Sequence, residues 1–215
     1  NENPVSGCFV AESVPHLQAL GVTNTVLVAQ PFYRGPSTVH PRFPADRVRF
    51  FCVPSGFGLS SAGSLLYRES LSKVAGLARS HRIDLIHAHS ALPCGHAARL
   101  LSRKLGIPFV VTVHGLDASS RRQVGGVFGR HCEQVSRQIY LAAERVICVS
   151  EKVRQSVLQV EPRARTTVIY NGVDCGYFKP APTLSDAPTV LAIGNLIPSK
   201  GHDILLRAFS RVRSA

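Results

Sequence analysis

The sequence predicts an α/β fold: a doubly wound, mostly parallel sheet followed by a truncated second domain. Short runs of apolar, β-branched residues alternate with longer amphipathic stretches. Most of the short runs are continuously apolar, which is typical of strands buried on both faces of a parallel sheet. A segment with three prolines and two glycines, 171–188, then interrupts the alternation. A chain of 215 residues can hold one such domain and part of another.

The elements are expected in strand–helix order, because this alternation indicates βαβ units. We expect strands at 25–29, 48–53, 85–89, 108–114, 145–149, 166–170 and 189–193. We expect helices at 65–80, 94–105, 121–143, 151–159 and 202–212. Ser150 is a suitable N-cap for the helix that follows it. The first domain is predicted to cover 1–170, with a linker at 171–188 and the first strand and helix of a second domain at 189–215.

Composition limits the class of protein. The net charge is +12, from 25 Lys and Arg against 13 Asp and Glu, which favours anionic ligands such as nucleotides, phosphorylated compounds or acidic lipids. The apolar runs are too short to cross a bilayer, and no signal-peptide pattern is recognised. The absence of methionine predicts a partial or processed start. The six widely spaced cysteines predict free thiols in a reducing compartment, with no disulfide or thiolate metal site.

Two strands of the predicted sheet end in histidine. His87 and His89 share one strand face, because residues two apart point the same way. His114 ends the next strand, Gly115 lets the backbone turn sharply, and Asp117 follows. Ligands of doubly wound sheets bind at the carboxyl ends of the strands, so these residues are candidates for a site. The alternative is that they pack in the core or shape loops.

A second candidate site follows the last predicted strand. Gly194, Asn195 and Lys200 lie in a turn that precedes a helix, where backbone N–H groups and a lysine favour an anion. The glycine spacing excludes a Walker loop. A plain strand–turn–helix connection explains the same segment equally well.

Five segments in order resemble one enzyme family. They are DLIHAHSALPCGHAARLLSRKLGIPFVVTVHGLD at 84–117, AERVICVSEKVRQSV at 143–157, VIYNGVD at 168–174, YFKP at 177–180 and VLAIGNLIPSKGHDILLRAF at 190–209. Together they resemble the retaining glycosyltransferases of family 4, over roughly residues 10–215. The resemblance implies the GT-B fold, in which two Rossmann-like domains face each other and hold the acceptor and a nucleotide-sugar donor.

The resemblance also implies residue roles. His114 matches a catalytic-site histidine that touches the donor sugar, and Lys200 matches a lysine that binds the donor diphosphate. Gly194, Asn195, His89 and Asp117 are further candidates for donor or substrate binding. The family often has arginine where Asn195 stands, and an amide brings no charge. The family's glycine-rich entry loop is reduced to Ser6-Gly7, and its paired glutamates would lie beyond residue 215, so we expect the chain alone to be inactive.

The implied partners are a nucleotide-sugar donor, which is a substrate rather than a cofactor, and a sugar or lipid-linked acceptor. No cofactor, metal or nucleic acid is expected. We expect a cytoplasmic location with peripheral contact at an anionic membrane face, because Arg121, Arg122, Arg130 and Arg137 follow the His114 loop. Two alternatives stay open: a non-catalytic module that binds anions or nucleic acid, and a metal-dependent hydrolase using His87 and His89. A hydrolase barrel would need about 250 residues.

Overall fold

The structure is a computed structural model that describes residues 8–34, 45–53, 58–119, 124–180 and 189–213. Contacts between residues divide the chain into two compact units, 1–172 and 173–215. The first unit carries all the strands of the described residues. Each unit is treated by itself below.

Two parallel sheets form the centre of the first unit. One contains β1 (Val26–Pro31) and β2 (Ala45–Phe50), and the other contains β3 (Ile86–His89), β4 (Phe109–Val113), β5 (Arg145–Cys148) and β6 (Thr166–Val168) in that order. All the pairings are parallel. β4 is nearly continuously apolar and four of its five residues are buried, as a central strand covered on both faces requires.

Helices connect these strands. They are α1 (Cys8–Ala19), α2 (Leu59–Ser80), α3 (His96–Leu105), α4 (Gly126–Ala142) and α5 (Glu151–Val160). An irregular helical turn, Ala91–Gly95, precedes α3, and Gly106 ends α3 in the left-handed conformation with φ of 71°. Ser150 caps α5 as predicted, since its side chain accepts a hydrogen bond from the Val153 N–H. Within the described ranges, no helix is long and apolar enough to span a bilayer.

The hydrophobic core has two parts that match the two sheets. The larger part packs α4 and α5 against β4 and β5, with Val111, Val146 and Ile139 fully buried. The smaller part packs Val48 and Phe50 of β2 against α2 and α3. Partly buried Cys94 contacts both parts, so the turn before α3 lies where the two cores meet.

Several sequence predictions need correction. The first six strands are present with shifted ends, but they form two hydrogen-bonded sheets rather than one, because no ladder joins β1 to β3 among the described residues. The helix α1 was missed, since Pro15 lies inside it and its apolar residues do not form a clear face. The predicted helix 121–143 begins at Gly126; positions 121–123 lie outside the described residues.

The predicted strand at 189–193 is absent from the second unit. This segment has no regular structure, and Leu191 and Ile193 are 77% and 87% exposed. A strand forms only against a hydrogen-bonded neighbour, and none pairs with it in the described part of the chain. The helix α6 (His202–Arg213) is present after a 3-10 turn, Pro198–Lys200. The predicted linker is irregular over 171–180, and its remainder, 181–188, lies outside the described residues.

Two glycines of α2 provide a matched test of the packing between α2 and α3. A Cβ at Gly63 would lie 2.6 Å from the Cβ of His96, whereas a Cβ at Gly76 meets nothing closer than 3.9 Å. We predict that Gly63→Ala lowers the free energy of unfolding by about 1–3 kcal/mol, because the overlap forces α3 to shift. Gly76→Ala should raise it by about 0.5–1 kcal/mol through helix propensity. Urea unfolding measures both, and equal effects of the two would contradict this account of the interface.

Candidate active site

The candidate site lies where β3 and β4 end side by side. Parallel pairing places His89 opposite Thr112 and His87 opposite Val110. The ladder continues past β3, where the Ser90 N–H donates to the Thr112 carbonyl at 2.9 Å. The histidines at 87, 89 and 114 therefore meet at one edge of the four-stranded sheet, as the sequence predicted for strands with adjacent carboxyl ends.

The imidazole rings at this edge contact one another directly. His89 Nδ1 and His114 Nε2 are hydrogen-bonded at 3.1 Å, and the two ring planes differ by 20°. His87 stacks on His89 with ring centroids 4.4 Å apart, and its Nε2 bonds to the Thr112 hydroxyl at 2.7 Å. The ring of Phe9, from α1, covers His114 at a centroid distance of 4.1 Å. We call these four rings the histidine stack.

The loop after β4 fixes the backbone of His114. Gly115 adopts φ of 135°, a conformation that L side chains rarely adopt, and starts a 3-10 turn, Leu116–Ala118. Asp117 Oδ1 accepts a hydrogen bond from the backbone N–H of His114 at 2.9 Å. The buried Tyr140 of α4 donates its hydroxyl to the carbonyls of Asp117 and Ala118, at 3.2 and 3.1 Å. The position of His114 thus depends on α4 as well as on its own strand.

Burial controls the charge of the site. It lowers the pKa of His114, an effect that the nearby Asp117 carboxylate opposes. Burial lowers the pKa of His89 to about 3, with further contributions from repulsion by His87 and His114. Burial also raises the pKa of Asp117, against the stabilising hydrogen bond from the His114 N–H. His89 and His114 are therefore neutral near pH 7, and their ring nitrogens can both donate and accept hydrogen bonds.

Among the described residues, two buried polar atoms of this site find no hydrogen-bond partner: His114 Nδ1 and Asp117 Oδ2. Buried polar atoms in native proteins nearly always find a partner, so each unpaired one calls for an explanation. Both belong to residues that the sequence singled out. Their hydrogen-bonding capacity is therefore unused within the described part of the chain.

The hydrolase alternative predicted that His87 and His89 would ligate a metal. In the structure His87 Nε2 bonds to Thr112 and His89 Nδ1 to His114. Among the described residues, no group of three or more His, Cys, Asp or Glu side chains is arranged to hold a metal ion. The geometry is that of a hydrogen-bonded and stacked cluster.

The second candidate site lies in the second unit. A Cβ at Gly194 would lie 3.5 Å from the Lys200 side chain and 3.4 Å from His202 Nε2, so this loop packs closely on the turn before α6. The Lys200 N–H donates to the Ile197 carbonyl, and Gly201 has φ of 67°. His202 Nε2 is buried and finds no partner in the described part of the chain, and Asn195 and Lys200 are exposed. The structure thus brings Gly194 and Lys200 together within their own unit.

The arginines predicted to form a basic face are only partly described. Arg121 and Arg122 lie outside the described residues. Arg137 lies 3.6 Å from the buried carboxylate of Glu161, which also accepts from the backbone N–H of Arg163. Arg137 thus shares the Glu161 carboxylate with Arg163, and its own side chain is 55% exposed.

Comparison with known proteins defines the class. The fold resembles that of sucrose-phosphate synthase from Thermosynechococcus elongatus, with a TM-score of 0.70, 18% identity, and coverage of 96% of this chain and 54% of that one. The architecture is therefore that of a GT-B glycosyltransferase. The family model described as Glycosyltransferase Family 4 matches residues 8–177, and the chain belongs to this family.

Curated relatives support the same class. An uncharacterized glycosyltransferase of Methanocaldococcus jannaschii is 34% identical over 133 residues, which cover 62% of this chain and 35% of the relative. A D-inositol 3-phosphate glycosyltransferase of Kineococcus radiotolerans is 25% identical over 228 residues, covering 93% of this chain and 50% of the relative. The chain thus spans from about a third to half of the length of these relatives.

Sequence reasoning missed three residues that shape the site: Phe9, Thr112 and Tyr140. Thr112 lies two residues before His114, so strand alternation alone places both on one face, and it pairs with His89 of β3. Phe9 and Tyr140 come from distant helices, and no local pattern connects them with His114. Ser90, which follows His89 with φ of 71°, is a further unusual position that the sequence did not reveal.

Tyr140 tests whether α4 supports the His114 loop. We predict that Tyr140→Phe lowers the free energy of unfolding by about 1–2 kcal/mol, because it removes the donor shared by two carbonyls in the core. The exposed Tyr170 is the matched control, and Tyr170→Phe should change stability by less than about 0.5 kcal/mol. Denaturant unfolding of both variants provides the measurement, and indistinguishable stabilities would show that the Tyr140 hydroxyl does not support the loop.

The pKa of His89 predicts an acid sensitivity of the fold. Folding lowers this pKa from 6.5 to about 3, so between these values the unfolded chain binds a proton that the folded chain does not. The free energy of unfolding should therefore fall as the pH drops from 6.5 toward 3.

The variant His89→Asn cannot titrate and should weaken this dependence. We expect the slope of unfolding free energy against pH to decrease by up to about 1.4 kcal/mol per pH unit. His87, His114 and Asp117, the titratable groups around His89, stay in place, and the exposed His81→Asn is the control. An unchanged slope in His89→Asn would mean that His89 is not held neutral by the fold.

Proposed function

We propose that this chain is the acceptor-side part of a retaining glycosyltransferase that moves a sugar from a nucleotide-sugar to an acceptor hydroxyl. Membership of family 4 supports sugar transfer as the general reaction. The observation that carries the specific proposal is His114, which directly follows β4 at the sheet edge, is fixed through its backbone and side chain, and keeps Nδ1 unpaired among the described residues.

His114 is assigned to the donor sugar. In transfer with retention, the bond between the anomeric carbon and the diphosphate oxygen breaks, and a bond to the acceptor oxygen forms on the same face. The diphosphate leaves with the electron pair of the broken bond, and its oxygen can take up the proton that the acceptor hydroxyl loses. A neutral imidazole suits contact with a sugar, because it can hydrogen-bond a hydroxyl without the desolvation cost of a buried charge. Asp117 Oδ2 provides a second hydrogen-bond acceptor beside it.

Lys200 is assigned to the donor diphosphate. The leaving diphosphate gains negative charge during the reaction, and a fixed cation at a helix start stabilises that charge. Lys200 directly precedes Gly201 and α6, and its side chain packs near Gly194. Asn195 in the same loop contributes a neutral hydrogen-bond donor. The chain by itself is expected not to transfer sugar, since it spans only about a third to half of the length of these curated relatives.

The remaining partners belong to the same proposal. A sugar or lipid-linked acceptor would bind on the side of the His114 loop. The net charge of +12 supports peripheral contact with an anionic membrane face, where exposed lysines and arginines are attracted to acidic lipids. Arg137 pairs with Glu161 and shares that acid with Arg163, so one carboxylate faces two arginines in this region.

The test uses the full-length enzyme and the 215-residue chain with a panel of UDP- and GDP-sugars, measuring nucleoside diphosphate release and product anomeric configuration. We predict that His114→Ala in the full-length enzyme lowers kcat on the order of 10²-fold, as loss of one transition-state contact does. Lys200→Ala should raise the KM for the donor and lower kcat together. The exposed His81→Ala should leave both constants unchanged.

Three outcomes would overturn these assignments. Full activity of His114→Ala would exclude His114 from the site. An inverted product would exclude the retaining mechanism. Transfer by the 215-residue chain alone would show that the donor site is contained within it.

A further inference from the structure

The histidine stack leaves His114 little freedom to rotate. One face of its ring lies under Phe9 at a centroid distance of 4.1 Å, and its edge is bonded to His89 at 3.1 Å. His89 is in turn held by its stacking on His87, whose own ring is bonded to Thr112. The orientation of His114 is therefore set by a chain of contacts that starts on β3.

The bond between His89 Nδ1 and His114 Nε2 requires one proton between two nitrogens. Two arrangements of neutral rings satisfy it. In the first, His114 Nε2–H donates to His89, and His114 Nδ1 is a bare acceptor. In the second, His89 Nδ1–H donates to His114, and the proton of His114 lies on Nδ1.

The surroundings of His114 Nδ1 distinguish these arrangements. This atom is buried and has no partner, and Asp117 Oδ2 is likewise unpaired, so the two do not bond to each other. The second arrangement would leave a buried N–H without an acceptor, which folded proteins rarely tolerate. The first leaves a bare nitrogen acceptor, and an unfilled acceptor is tolerated more often than an orphaned N–H. In the first arrangement, His89 carries its own proton on Nε2. This nitrogen is not among the buried atoms that lack a partner, so no N–H of His89 is left orphaned.

We propose that His89 is a positioning residue that accepts the Nε2 proton of His114 and thereby keeps His114 Nδ1 unprotonated, as a hydrogen-bond acceptor. A group that reaches His114 Nδ1 must then donate a hydrogen bond, as a hydroxyl does. The identification of that hydroxyl with the donor sugar rests on the proposed function, whereas the proton arrangement itself does not.

The proton position is measured directly by long-range ¹H–¹⁵N correlation spectra of the chain labelled with ¹⁵N-histidine at neutral pH. His114 is assigned by the signal lost in His114→Ala. We expect wild-type His114 to be protonated on Nε2 alone. His89→Asn should keep this pattern, because the asparagine side-chain oxygen takes the place of Nδ1. His89→Phe removes the acceptor and should give a mixture of both tautomers, while the exposed His81→Phe changes nothing.

Either of two results would overturn the proposal: a proton on His114 Nδ1 in the wild type, or an unchanged single tautomer in His89→Phe. Circular dichroism checks that His89→Phe is folded. If it is not folded, the wild type and His89→Asn still decide, because Nδ1 protonation in either contradicts the proposal. Sugar transfer is not measured in this experiment. A result against the proposed tautomer would therefore leave the proposed function untouched. Evidence against the proposed function would likewise leave the tautomer result valid.

Discussion

The parallel pairing of β3 with β4 is the constraint on which the site depends. Because the two strands run in the same direction and in register from Ile86 to His89, their carboxyl ends coincide. That coincidence brings His89 and His114, 25 residues apart in the chain, to a hydrogen-bond distance of 3.1 Å. A shift of one residue would turn both histidines of β3 to the opposite face of the sheet. Such a shift would also move Ala88, the buried residue of β3, out of the core.

The site is polar, but burial disfavours the charged forms of its titratable groups. Burial lowers the pKa of the histidines and raises the pKa of Asp117, so each effect disfavours the charged form. This stack of uncharged rings at a sheet edge differs from the second unit, where Lys200 is exposed beside a helix start. The two units therefore present different groups: buried histidines in one, and an exposed lysine in the other. This contrast matches the needs of sugar and diphosphate in the proposed reaction.

Much of the fold was accessible from the sequence because its signals are local. Continuous apolar runs predicted β1 to β6, and Ser150 predicted the start of α5. The strand predicted at 189–193 was wrong, since apolar composition makes a strand only where a neighbour pairs with it. The helix α1 was missed because Pro15 obscured its pattern. Phe9, which lies in α1 and covers the ring of His114, was therefore missed as well. β1 and β2 are separated from the other four strands because of long-range pairing, which local sequence patterns do not predict.

The sequence by itself determined the class of fold, the residues at the strand ends and the family resemblance, because periodicity and motif order are properties of the chain. It placed His87, His89, His114 and Asp117 at one edge of the sheet. Only the tertiary structure decided how these residues contact one another. It pairs His89 Nδ1 with His114 Nε2 and places the Tyr140 hydroxyl against the loop. It leaves His114 Nδ1 and Asp117 Oδ2 without a partner among the described residues. Those features depend on side chains from separate elements meeting in three dimensions, and their burial sets the protonation on which the chemistry rests.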